Sequence, residues 1–246
     1  MAIRSRSFVL GLGLAVVAAS LLTACATPGG PGSAPAPSAS ADADGDTSTE
    51  AELEAAWLDH GRVVGIVTEG SSTCVPSAGE VAYAGGVLEV QFVEPPAGTA
   101  CTRDLVPRVT LVSLPEDVDP TQELEIRVTG EGYHGDVDLD GVAGLDPSGE
   151  TDYQPSAGWT DADGQFVLLT WGSSGCPPVV EDVAAASPTE VTVTFQTPPS
   201  DQMCTADMAP RGTLITVDGV EDGDETSAIL TGAEFDDVRV PILGRA

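Results

Sequence analysis

Apolar and polar positions alternate in short runs through most of the chain. Leu88, Val90 and Phe92 alternate with Glu89 and Gln91, and Val191, Val193 and Phe195 alternate with Thr192 and Thr194. A period of two is that of a strand with one buried face. Residues 63–68 and 166–171 are apolar on both faces and predict central strands. Residues 109–114 and 212–217 predict another pair. Further strands are expected near 81–84, 124–129 and 136–140, with counterparts near 182–186, 226–231 and 237–242. Gly and Pro punctuate these runs. The one helix candidate is Thr49 to Ala56, where Thr49 and Glu52 stand at capping-box spacing. Many short strands with turn residues between them predict an all-β fold of antiparallel sandwiches or small barrels.

The runs repeat. Trp57, Asp59, Thr68, Gly70, Ser71, Ser72, Cys74 and Pro76 recur 102 residues later as Trp159, Asp161, Thr170, Gly172, Ser173, Ser174, Cys176 and Pro178. After one extra residue the register continues, from Val90 with Val193 through Cys101 with Cys204 to Leu111 with Leu214. Thr129-Gly130 matches Thr231-Gly232. So many matches with a single-residue shift mark an internal duplication. A period this long is a domain and not a solenoid unit. The expected organisation is a leader over 1–24, a tether over 25–56, a first β-domain over 57–141, a linker over 142–158 and a second β-domain over 159–246.

The leader carries Arg4 and Arg6 ahead of an apolar run from Phe8 to Leu22, too short for a comfortable membrane span. The run ends in Leu22-Thr23-Ala24-Cys25. These four residues resemble the lipobox of bacterial lipoproteins at every position, although the resemblance covers only about a tenth of the chain. It implies cleavage before Cys25 and diacylation of Cys25 as the new N-terminus. Two acyl chains hold a protein stably on a bilayer where one does not. The expected location is therefore the extracytoplasmic face of a cell membrane. Residues 26–49 are rich in Ala, Pro, Gly and Ser with Asp42, Asp44 and Asp46, a composition too poor in apolar surface to fold.

Cys25 leaves four cysteines, two per repeat at matching positions. Four cysteines allow three pairings. Duplication favours Cys74 with Cys101 and Cys176 with Cys204, because each ancestral copy had to be complete alone. No Cys-x-x-Cys is present and no histidine adjoins a cysteine, which turns the reading from metal or redox chemistry to structural disulfides.

Composition then narrows the partners. The chain has 39 acids, nine arginines and no lysine, and beyond residue 24 seven arginines face those 39 acids, a balance of −32. Nucleic-acid binders need a basic footprint, so no nucleic acid is expected. Two polar blocks are shared by the repeats. One is Thr-x-Gly-Ser-Ser-x-Cys at 68–74 and 170–176, and the other runs from Cys101 to Arg108 and from Cys204 to Arg211. If the disulfides join them, Ser72, Thr102, Asp104 and Arg108 form a rim, and Ser174, Thr205, Asp207 and Arg211 form its copy. Loops grouped at a sheet end commonly carry binding. The alternative is a disulfide-anchored turn feeding the next strand. A serine nucleophile would need a base, and the two histidines, His60 and His134, have no counterpart in the second repeat.

Asp136, Asp138, Asp140 and Gly141 match the first positions of an EF-hand calcium loop, but position 12 is Pro147. The competing reading is the last strand of the repeat, with Val137 and Leu139 inward. The leading expectation is a non-catalytic lipoprotein presenting two β-domains to an extracytoplasmic protein or envelope ligand, with no cofactor. The alternatives are a carboxylate-dependent envelope enzyme or accessory factor, and a calcium-dependent module.

Overall fold

Alternation at period two becomes strands throughout the computed structural model, which describes residues 52–223 and 225–244. Repeat 1 holds β1 (Glu54–Leu58), β2 (Val63–Gly70), β3 (Ser77–Ala84), β4 (Val87–Val93), β5 (Val106–Ser113), β6 (Leu124–Gly130) and β7 (Tyr133–Leu139). Repeat 2 holds β8 (Ser156–Trp159), β9 (Gln165–Gly172), β10 (Val180–Ser187), β11 (Glu190–Phe195), β12 (Ala209–Thr216), β13 (Ser227–Gly232) and β14 (Phe235–Leu243). One 3-10 turn, Asp59–Gly61, interrupts them. The described chain is all-β, with several sheets and two disulfides.

Strand order repeats with the sequence. In repeat 1 the orders are β1-β2-β5 and β3-β4-β6-β7; in repeat 2, β8-β9-β12 and β10-β11-β13-β14, joined there by a short β14–β8 pairing. That pairing is parallel, through Ile242 with Ala157 and Leu243 with Gly158. The expected antiparallel pattern needs a correction, because β4 with β6 and β11 with β13 are also parallel. A parallel pair needs a crossover, and β5 and β12 supply it from the other sheet of each repeat. Two further expectations change. Glu54, Ala55 and Ala56 form strand β1 and not a helix, and Leu53 to Ala56 are folded and mostly buried, not tether. Likewise the second repeat begins at Ser156, inside the expected linker. The leader, Cys25 and the tether up to residue 51 lie outside the described residues.

Three apolar clusters occupy three seams. The first lies inside repeat 1 around Trp57, Ile66, Leu88, Val90 and Ile126. The second lies inside repeat 2 around Trp159, Phe166, Leu168, Val193 and Leu230. The third joins the repeats: Ala56, Leu58 and Val67 meet Val167 and Leu169, flanked by Val109, Leu111 and Leu214. This explains why β2 and β9 are apolar on both faces. One face fills the repeat's own core and the other fills the seam.

The seam has the character of an isologous contact, in which the same patch meets itself across a two-fold axis. The Asp59 amide donates to Ser156 Oγ at 2.8 Å, and 102 residues on the Asp161 amide donates to Glu54 Oε2 at 2.9 Å. A Cβ built on Gly65 would lie 3.0 Å from Val167 Cγ1, and one on Gly212 would lie 2.6 Å from Val109 Cγ1. The two hydrogen bonds are each other's copies, and the two glycine–valine pairs each join a position to its own counterpart. True identical subunits would place two valines or two glycines there. Duplication into one chain allowed one side to carry the bulk and the other to lose it.

Candidate functional site

In each repeat the disulfide does bring the two shared blocks together: Cys74 bonds Cys101 and Cys176 bonds Cys204. Thr102 is the hub of the first block. Its Oγ1 lies 2.8 Å from Ser71 Oγ, 3.2 Å from Ser72 Oγ and 3.3 Å from Thr73 Oγ1. The Thr102 amide donates to Thr73 Oγ1 at 3.0 Å, and the Ser72 amide donates to Asp104 Oδ1 at 3.2 Å. Repeat 2 copies this arrangement. Thr205 Oγ1 lies 2.8 Å from Ser173 Oγ and 3.1 Å from Ser174 Oγ, and the Ser174 amide donates to Asp207 Oδ1 at 2.9 Å. Hydrogen bonds from Ser72 and then Thr102 hold the Asp104 carboxyl down at about 2. Those from Thr205 and Ser174 depress Asp207 further. The hydroxyls and carboxylates of both blocks are thus engaged with one another. Neither Ser72 nor Ser174 has a histidine among its partners.

The two arginines, by contrast, part company. Arg108 is buried to 9% exposure and donates to the Ser71 carbonyl at 3.1 Å, to the Cys74 carbonyl and to the Tyr133 hydroxyl. Burial first, and the Glu94 carboxylate bonded to its hydroxyl second, push the Tyr133 phenol up to about 12. The Arg108 charge is therefore answered through tyrosine. Its guanidinium lies over Gly70, where an added Cβ would fall 2.3 Å from Cζ; glycine in this block makes that room. In repeat 2, Phe235 stands where Tyr133 stands and Thr197 where Glu94 stands. Both the hydroxyl acceptor and the carboxylate are gone. Among the described residues, Arg211 donates only to the carbonyls of Ser174 at 3.2 Å and Pro210 at 2.9 Å. A Cβ on Gly172 would meet only Glu234 Oε1, at 3.6 Å, so Arg211 does not lie over that glycine. Sequence reasoning missed Tyr133 and Glu94. The available signal was a Tyr-to-Phe difference in register beside two retained arginines.

The two blocks point in opposite directions. Pro107, at the start of β5, shares a cleft with Leu214, late in β12, while Leu111 and Ser113 share another with Pro210 and Arg211. Strands β5 and β12 therefore run antiparallel across the seam, as do β2 and β9, where Glu69 lies near Gln165. Gly70 and Gly172, inside the two blocks, each lie five residues from the Gly65–Val167 crossing, so the blocks stand on the order of 30 Å apart at the usual rise per residue. Each presents a matched exposed apolar residue, Leu105 at 74% and Met208 at 53%.

Asp136 and Asp138 lie on the exposed face of β7 while Val137 and Leu139 point inward. Alternate residues on a strand are about 6.6 Å apart and cannot wrap an ion that needs ligands at 2.3–2.6 Å. Asp136 instead faces Arg127 across the ladder, in a surface row with Glu125 and Glu89. Asp140 uses its carbonyl to accept from Trp57 Nε1 at 2.8 Å. These residues do not fit an EF-hand loop, and among the described residues no group of three or more acids, histidines or cysteines is placed to hold a metal. His60 faces Asp152 at 3.9 Å on the surface, and His134 lies exposed in β7.

A cleft of about 610 Å³ between the repeats carries four carboxylates, from Glu52, Glu54, Glu69 and Asp136. Glu54 is committed to the amides of Asp161 and Ala162. No family model, no curated protein and no solved structure matches this chain.

Proposed function

We propose that this chain is an exported lipoprotein, held on the extracytoplasmic face of a membrane by a diacylated Cys25. Its folded part is two fused sandwich domains that bind an extracytoplasmic protein or envelope component without catalysis. The observation that carries this reading is the mutual satisfaction of the cystine blocks. Their serines, threonines and aspartates spend their hydrogen bonds on each other. That is how a rigid presenting loop is built, and it leaves no nucleophile beside a base. Opposed blocks suit bridging of two partner sites more than simultaneous grip on one flat surface, since avidity requires both sites to be reached together.

Photo-crosslinking on intact cells tests the reading. The probe belongs at Leu105 and Met208, which are exposed and outside the hydrogen-bonded cluster, with a control at Thr192. One dominant partner trapped at either tip and not at the control supports it. No partner at either tip sinks it. Replacing Cys25 with serine should release the protein from the membrane fraction. The acidic cleft keeps one second reading in play, a carboxylate-dependent enzyme. Turnover of an envelope substrate that Glu69→Gln abolishes would establish that instead.

A further inference from the structure

Strands β3 and β5 close the same flank of repeat 1, and each ends its sheet order with one edge unpaired among the described residues. Between them lies a groove of about 720 Å³, walled by Ala78 and Val81 on one side and Val109 and Leu111 on the other. Arg211 and Gly212 of repeat 2 form the third wall. Among the described residues no acid lines this groove, in a chain of 39 acids. Arg211 is the cation among its lining residues. Among the described residues no carboxylate lies within ion-pair distance of it, and its guanidinium bonds only backbone carbonyls, one of them that of Pro210 in the groove wall. The loss of the tyrosine and glutamate that occupy Arg108 in repeat 1 is what leaves it so.

The two edges are not equal. Strand β3 is bulged between Ala78 and Val81, which discourages pairing, whereas β5 runs in unbroken register against β2. Pro107 lacks an N–H, so the usable edge of β5 covers residues 108–113. An unpaired regular edge is a template for another strand.

We propose that this groove takes an extended segment of a partner protein by strand addition to β5. Two apolar side chains of the segment, two residues apart, rest on Val109 and Leu111, which face repeat 2, and one Asp or Glu on that same face meets Arg211 in a charge-assisted pair. The repeats are thereby unequal in use: repeat 1 supplies the edge and repeat 2 supplies the charge. This rests on the binding reading above and names the chemistry of the partner.

The test is an NMR titration of the 15N-labelled exported chain, carrying Cys25→Ser. The probe is an acetylated, amidated hexapeptide pool Φ-Thr-Φ-Thr-Glu-Thr, in which Φ is Val, Ile, Leu or Phe, so that the apolar residues and the Glu share one face. The expected result is shifts confined to residues 77–81, 108–113 and 210–213. Glu→Gln in the pool, or Arg211→Gln in the protein, should weaken binding tenfold or more, with the spectrum of the free variant showing that it folds. Shifts elsewhere, equal binding by both pools, or no shift on the order of 1 mM peptide would overturn the proposal. So would binding only of a pool with a free terminal carboxylate and Gln in place of Glu. Crosslinks at Leu105 or Met208 without peptide binding would remove the groove and keep the binding reading; failure of both experiments would remove both.

Discussion

Exchanging the partners at the Gly65–Val167 contact puts the pseudo-two-fold seam to a quantitative test. Val167 is fully buried, so Val167→Gly forfeits about 1.5–3 kcal/mol of apolar burial and about 0.5–1 kcal/mol for glycine in a strand. Gly65→Val has the opposite fault. A bare Cβ there already lies 3.0 Å from Val167, 3.1 Å from Leu58 and 3.2 Å from Val109. Two further methyls overpack the seam, at about 1–3 kcal/mol. In the double variant the bulk returns to the same space from the other side. Its destabilisation should fall short of the sum of the singles by about 1–3 kcal/mol. Urea unfolding of the oxidised chain reads this directly, and in a chain of this size 1 kcal/mol moves the thermal midpoint by about 2–4 °C. All variants should unfold in one transition, because the seam is a core shared by both repeats. Singles that add within about 0.5 kcal/mol, or two transitions of which each single variant moves only one, would refute the packing argument.

Other outcomes follow from the cystine blocks. Tyr133→Phe leaves the buried Arg108 short of an acceptor and should cost about 1–3 kcal/mol in urea unfolding; Phe235→Tyr should bring no comparable gain. The Asp104 carboxyl, ordinarily near 3.8, is held at about 2 in the fold. Its charged form is the favoured one, so the stability it contributes is complete above about pH 4 and is lost as pH falls toward 2. The urea midpoint should therefore fall over that window, and less steeply in Asp104→Asn; identical slopes would contradict the assignment. Replacing Cys74 and Cys101 by alanine opens a loop of 27 residues and should cost about 3–4 kcal/mol in the chain-entropy account, read by the same unfolding assay. Calorimetry with calcium should give weak, diffuse heat unchanged by Asp138→Asn, and a stoichiometric event lost in that variant would restore the calcium reading.

Much of the fold was legible because its determinants are local or repeated. Alternation located β4 and β11 by their buried faces, as in Leu88, Val90 and Phe92. Duplication paired the cysteines, since a complete ancestral copy must close its own loop. Given those disulfides, the same register put Ser72 and Asp104 in one rim and Ser174 and Asp207 in its copy, and the structure adds their hydrogen bonds. The helix expected over 49–56 gave way at Glu54 to Ala56 to a strand, because capping-box spacing is a local signal and the seam around Ala56 and Leu58 overrode it there.

What sequence could not decide is anything that depends on which face meets which. It marked β2 and β9 as apolar on both sides but not that the second face buries the other repeat. Parallel pairing of β4 with β6 was hidden because period two is the same in either direction. Arg108 and Arg211 are equal in sequence and unequal in the fold, one held by Tyr133 and one left beside a groove. The hydrogen-bond partners that separate them sit on other strands, brought near only when the sheets close. The chain alone thus set its strands, its disulfides and its twofold repetition. Tertiary packing decided the opposed direction of the two blocks and the inequality of the two arginines, because side-chain satisfaction is settled by neighbours distant in sequence.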